Sequence, residues 1–121
     1  MAEDKLTLNR ADHVVTACFG GQSVLTSSDI QALREQLADV IRWEKPACLI
    51  VDFTGLGMLG SEVLGMLVDL HRMQHENDAQ LIVCGLAPAM HKVLKITRLD
   101  LVLTFADNAS DAMELARAQS D

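Results

Sequence analysis

The chain has 121 residues, half of them hydrophobic, and a formal net charge of −7. That length supports one domain with a moderate core, and the apolar content speaks for a packed globule against disorder. The acidic balance opposes binding to nucleic acid or to anionic membranes, which both ask for positive surface, while it is compatible with docking on a basic protein partner.

The core must be built from Leu, Val, Ile, Met and Ala, because the chain holds three Phe, one Trp and no Tyr. Cys18, Cys48 and Cys84 stand far apart in apolar stretches, without a C-x-x-C spacing. They read as buried reduced thiols, hence a cytosolic compartment. No stretch resembles a signal peptide and no apolar run approaches the ~20 residues of a membrane span. The expectation is a cytoplasmic protein.

In chain order, Leu6–Arg10 and His13–Phe19 predict an N-terminal hairpin around Ala11-Asp12. Ser28 followed by Gln31 fits a capping box for a first helix. Ile30, Leu33, Leu37, Val40 and Ile41 recur on it at helical spacing until Pro46 ends it. Ala47–Phe53 is apolar up to Asp52, the pattern of a strand covered on both faces. A glycine-rich connection precedes a second helix over Ser61–His75, which Asn77-Asp78 breaks. Ala79–Cys84 predicts another buried strand, Pro88–Ile96 a short helix with Pro near its first position, and Leu101–Phe105 a last strand. Asn108 with Asp111 caps a final helix that gathers Ala109, Ala112, Met113 and Ala116 on one face. The order β-β-α-β-α-β-α-β-α describes one α/β domain over residues 1–121, with a core from about 6 to 117. Its sheet is mixed and central, with an N-terminal hairpin and four helices packed on it.

The connection reads Gly55-Leu56-Gly57-Met58-Leu59-Gly60-Ser61, of which the first six residues spell G-x-G-x-x-G. A dinucleotide site would want an acid near the end of the next strand, but that strand ends Val83-Cys84-Gly85. A phosphate-binding loop of the Walker type would need Lys-Ser or Lys-Thr after the last glycine, and neither is there. The loop reads instead as a flexible connection that delivers Ser61 to a helix N-terminus. There a serine caps free amides, and the helix dipole tolerates a phosphate on it.

The run Ile50–Gly65 resembles the signature of anti-sigma factor antagonists, the STAS domain, roughly D-L-S-x-V-x-x-I-D-S-S-G-L-G. Leu81–Pro88 resembles the family's L-x-L-x-G-x-x-P segment, Leu94–Asp100 its L-x-x-T-G-L-D turn, and Phe105–Ala112 its last strand and helix. The resemblance covers nearly the whole chain. It implies a regulator without catalytic residues, cofactor or metal. Such a regulator works by bacterial partner-switching: it binds an anti-sigma factor that is also a serine kinase, and so frees a sigma factor for transcription. The kinase phosphorylates a serine at the start of the second helix, and a Ser/Thr phosphatase resets it. Carried over by position, the phosphoacceptor is Ser61. This chain departs from the pattern in three places. The family's Asp before the acceptor is Gly60, its second Ser or Thr is Glu62, and the acid after the hairpin is replaced by Gly20-Gly21-Gln22-Ser23.

On a helical wheel the second helix centres its apolar face on Val63, Leu67 and Leu70. Leu64 and Val68 widen one side, and Met66 and Met73 the other. The resulting arc of about 220° exceeds what burial on one side requires. The expected partner-binding surface is therefore Gly57, Met58, Gly60, Ser61, Glu62, Leu64, Gly65, Met66, Val68 and Asp69, and a weak homodimer would use the same helix. Two other functions remain open: a non-phosphorylated scaffold that assembles through this helix, and a sensor of an anion or nucleotide at the Ser61 amides. His71 and His75 lie one turn apart without a third metal ligand. A triad of Ser61, a histidine and Asp52 would need the G-x-S-x-G elbow, and Leu59–Val63 does not supply it.

Overall fold

The computed structural model describes residues 6–19, 25–56 and 60–119. They form β1 (Thr7–Ala11), β2 (Val14–Cys18), α1 (Ser27–Glu44), β3 (Cys48–Asp52), α2 (Ser61–Glu76), β4 (Gln80–Cys84), α3 (Pro88–Ile96), a 3₁₀ turn (Leu99–Leu101), β5 (Thr104–Ala106) and α4 (Ala109–Gln119). The strands build one sheet in the order β1-β2-β3-β4-β5. β1 pairs antiparallel with β2, and every other neighbouring pair is parallel. This is the mixed sheet that the element order implied. The hairpin closes through Asp12 and His13, whose φ values of 55° and 66° are both positive. Two such residues give the turn the twist that its strands need.

Side chains alternate across the sheet. Val15, Ala17, Leu49, Val51, Phe53, Leu81 and Val83 face a large core shared with α1, α2 and α3. Val14, Cys48, Ile50, Ile82 and Cys84 face a smaller one closed by Ala112 and Ala116 of α4. Burial on both sides explains why β3 and β4 read as continuous apolar runs. Met113 and Ala109 flank the α4 contact, and Asp111 N donates to Asn108 Oδ1 at 2.8 Å, the cap expected for this helix.

Two local expectations need correction. The α1 capping box is Thr26 with Asp29, not Ser28 with Gln31: Asp29 N donates to Thr26 Oγ1 at 3.1 Å and Thr26 N donates to Asp29 Oδ2 at 2.9 Å. The helix starts earlier because Leu25, just outside it, packs on the core that also holds Ile30, which is the spacing of a hydrophobic staple. The last strand is shorter than Leu101–Phe105 and begins at Thr104. Leu101 instead closes the 3₁₀ turn, which Arg98 enters with φ 63°, and Val102 and Leu103 connect it to the strand. Only Leu103 of that stretch is buried, and Leu101 and Val102 face solvent. A run of β-prone residues was overridden here by a turn that leaves β5 only Ile82, Val83 and Cys84 to pair with.

No described helix is long and apolar enough to cross a membrane. Cys48 and Cys84 are buried free thiols, and Cys18 is half-buried. Burial pushes the Cys48 and Cys84 thiols up to about 12, and Asp52 adds to the effect at Cys84.

Candidate functional site

β3 delivers the chain to the carboxyl end of the sheet, where Asp52 closes a tight turn. Its Oδ1 accepts from Thr54 N at 3.0 Å and from Thr54 Oγ1 at 2.6 Å, and Cys18 Sγ lies 3.8 Å from Oδ2. Asp52 thus holds the Thr54 amide and hydroxyl, and no histidine is found bonded to it among the described residues, so a triad through it has no geometric basis. Phe53 N donates to the Cys84 carbonyl at 2.9 Å and Leu56 N to the Phe53 carbonyl at 2.9 Å, which seats Leu56 in the core. Gly55 takes φ 93° in this turn. Gly85, at φ 75°, passes so close to it that a Cβ would stand 2.4 Å from Thr54 Oγ1 and 2.5 Å from Asp52 Oδ1. Only glycine allows the two strand ends to approach this way. Gly57 and Met58, expected at the partner surface, lie outside the described residues.

α2 then begins in a way the sequence did not reveal. Gly60 is its N-cap, with extended backbone (φ −94°, ψ 174°), and its carbonyl accepts from Leu64 N at 3.2 Å. Ser61 is the first helical residue rather than the cap, and no side chain caps the helix. The reason is chemical: glycine lacks a side-chain oxygen to turn back on the free amides, and the negative charge that the dipole favours in the first turn comes from Glu62 instead. Ser61 is exposed, and no hydrogen bond to its hydroxyl is found among the described residues. A Cβ added at Gly60 would meet nothing within 4 Å among the described residues.

Glu62 does not stand free. Ser27 Oγ, at the start of α1, donates to its Oε1 at 2.6 Å, and so ties the N-termini of the two helices together. One and two turns further along, Gly65 and Asp69 face α1, and an Arg34 Nη lies 3.1 Å from Asp69 Oδ2. Arg72 reaches Asp69 Oδ1 at 3.6 Å. Between the helices runs an open groove of about 400 Å³, lined by Ile30, Gln31, Arg34, Glu35, Ser61, Glu62 and Gly65.

The flank of α2 divides differently from the wheel. Val63, Leu67 and Leu70 are buried as expected, but Met66 is 0% exposed and belongs to the core, so it leaves the set of candidate contacts. Leu64, Gly65, Val68 and Asp69 keep partial exposure beside Ser61 and Glu62, which are open. The buried stripe ends in Gln74, also 0% exposed, whose Nε2 donates to the carbonyls of Gln80 at 2.7 Å and Pro46 at 3.3 Å. The 63–67–70–74 spacing could have placed Gln74 inward, but its polarity hid it. The His71 and His75 rings stack at 6.1 Å, and the described residues hold no cluster of three or more potential metal ligands.

A family model described as STAS domain matches residues 9–112. Among solved structures, the Thermotoga maritima protein TM1081 superposes with a TM-score of 0.83 at 17% identity, covering 96% of this chain and 97% of that one. An anti-sigma factor antagonist from Mycobacterium paratuberculosis superposes with a TM-score of 0.77 at 21% identity, covering 93% and 92%. The Bacillus cell fate determinant SpoIIAA, in its phosphorylated form, gives 0.67 at 16% identity, covering 90% and 96%. At these identities the likeness is one of fold.

Proposed function

Because this chain belongs to the STAS domain family, we propose that it is a cytoplasmic anti-sigma factor antagonist that acts by binding an anti-sigma factor with serine-kinase activity, and that phosphorylation of Ser61 ends the complex. The observation that carries this reading is the position of Ser61: exposed, first in α2 and free of a capping role. The contact surface is the loop through Gly57, Met58 and Gly60, then Ser61, Glu62, Leu64, Gly65, Val68 and Asp69. It is a regulator of transcription in a single domain, without catalysis of its own.

In the transfer, the bond from Ser61 Oγ to the γ-phosphorus of ATP forms as the bond from that phosphorus to the β–γ bridging oxygen breaks. ADP leaves, and the hydroxyl proton goes to a base on the kinase, because Gly60 offers none. The helix dipole favours the resulting dianion by roughly 0.3–1 kcal/mol. The same charge at the centre of a docked interface repels the partner. A Ser/Thr phosphatase restores the hydroxyl.

The test is incubation with the cognate kinase and ATP followed by intact mass. A gain of one phosphate that Ser61→Ala abolishes supports the reading. No gain with a kinase that binds the protein overturns it. Gly60 specifically favours a second reading, a non-phosphorylated scaffold, because the hydroxyl stands without the family's neighbouring carboxylate. Gly60→Asp separates the two: faster phosphorylation in this variant means that the site is a tuned acceptor, while none in either protein favours the scaffold.

A further inference from the structure

We propose that Arg34 of α1 is the internal receptor for a phosphoryl group on Ser61, so that phosphorylation rewires the clasp between α1 and α2. This inference rests on the acceptor role of Ser61 proposed above.

The two helices are clasped at two levels. Ser27 holds Glu62 at their N-termini, and Arg34 holds Asp69 seven residues further along both helices. Between the clasps, α2 carries Gly65, which leaves its backbone bare. The Arg34 Nη2 lies 3.6 Å from where a Cβ of residue 65 would be, so the guanidinium rests against this bare strip. Ser61 is one helical turn before Gly65, and residues at that spacing sit with Cβ atoms about 5–6 Å apart. Ser61, Gly65 and Arg34 line one groove, and Arg34 is the single cation among the described residues lining it. Its side chain is 44% exposed and can turn toward the helix start without disturbing the core.

The exchange of partners favours the phosphoryl group. Asp69 offers one negative charge, whereas a phosphoserine offers about −1.5 to −2 and three acceptor oxygens, which match the fork of a guanidinium. Asp69 is not abandoned, because Arg72 already stands 3.6 Å from it. Opposing the move are Glu35 on α1 and Glu62 on α2, which line the same groove, and the Ser27 hydroxyl holds Glu62. The result is a phosphate drawn across the α1–α2 groove, with α1 made part of the switch.

The experiment uses full-length protein with phosphoserine placed at position 61 during synthesis, and follows the phosphate by ³¹P NMR against pH. Arg34→Ala should raise the second phosphate pKa by roughly 0.5 unit or more, since a nearby cation favours the dianion. Glu35→Gln should lower it, and Arg34→Lys should fall between. The Arg34 Nε–H signal should also exchange more slowly with water in the phosphorylated protein than in the unmodified one. A phosphate titration indifferent to Arg34→Ala, or an unchanged Arg34 signal, overturns the proposal. Because no kinase is used, a protein that kinases ignore would overturn the acceptor reading while this measurement still reports on Arg34.

Discussion

The sheet feeds two helices in the same way, from β3 into α2 and from β4 into α3, and the two connections differ in what they present. β3 ends in Asp52 and β4 in Cys84, which are register partners on adjacent strands. Both helices start without a side-chain cap, α2 from Gly60 and α3 from Ala87. The first residue of α2 is Ser61, while that of α3 is Pro88. Proline fits the first helical position but brings no donor or nucleophile. Five buried side chains anchor the 16 residues of α2, and two anchor the 9 of α3. A repeated β-α unit thus gives two similar helix starts, and one well-anchored helix holds out a hydroxyl. The fold supplies the location, and the residue at the first helical position decides whether a hydroxyl is presented there.

The largest effect expected from this comparison concerns the strand ends. Cys84 is held up at about 12 by burial and by Asp52 beside it, and Cys48 by burial alone. Relative to an ordinary thiol near 9, their thiolate fraction at pH 8 falls about a thousandfold, and alkylation through the thiolate falls with it. Iodoacetamide labelling read by mass spectrometry should modify Cys48 and Cys84 only as fast as the protein opens. Keeping these thiols neutral contributes stability that is intact below the unfolded thiol pKa and is lost as pH rises through about 12. Denaturation midpoints should accordingly decline above pH 9. Labelling of Cys84 in native protein at the rate of a free thiol would refute the packing of β4 against α4.

Next in size is the lock between the two connections. Gly85→Ala would drive a Cβ into the Asp52–Thr54 turn and impose a positive φ on alanine. The expected loss is about 2–5 kcal/mol by urea denaturation. A loss below 1 kcal/mol would mean that the two strand ends are not in contact.

The helix starts differ by smaller amounts. Thr26→Ala removes the α1 capping box and should cost about 1 kcal/mol. Ser61→Ala removes a hydroxyl that caps nothing and should stay within about 0.5 kcal/mol. If the two variants lose equal stability, Ser61 is a structural residue. The smallest effect belongs to Gly60→Asp, which puts a better N-cap into open space and should gain ~0.3 kcal/mol in thermal unfolding. A clear loss there would show that the helix start is crowded.

The element order, the two-sided burial of β3 and β4 and the arrival of Ser61 at a helix start were legible in the amino-acid sequence. Period-two and helical spacing record which side each residue turns to the core. The ends of elements were less so. Thr26 and Ser28 carry the same capping chemistry, and the choice fell to Leu25 packing on the core. At α2, Ser61 looked like the cap, but the extended backbone of Gly60 took that position. Met66 was expected at the contact surface and lies in the core, because hydrophobicity does not say where a neighbouring helix ends.

What the sequence settled by itself is the alternation of strands and helices and the serine after the glycine-rich connection, because these follow from local periodicity and residue chemistry. Tertiary structure alone decided that Ser27 meets Glu62, that Arg34 meets Asp69, and that Gly85 must yield to the Asp52 turn. Each of those contacts joins residues about 30 or more positions apart. Their distance is fixed by how helices and strand ends pack, and no local pattern encodes it.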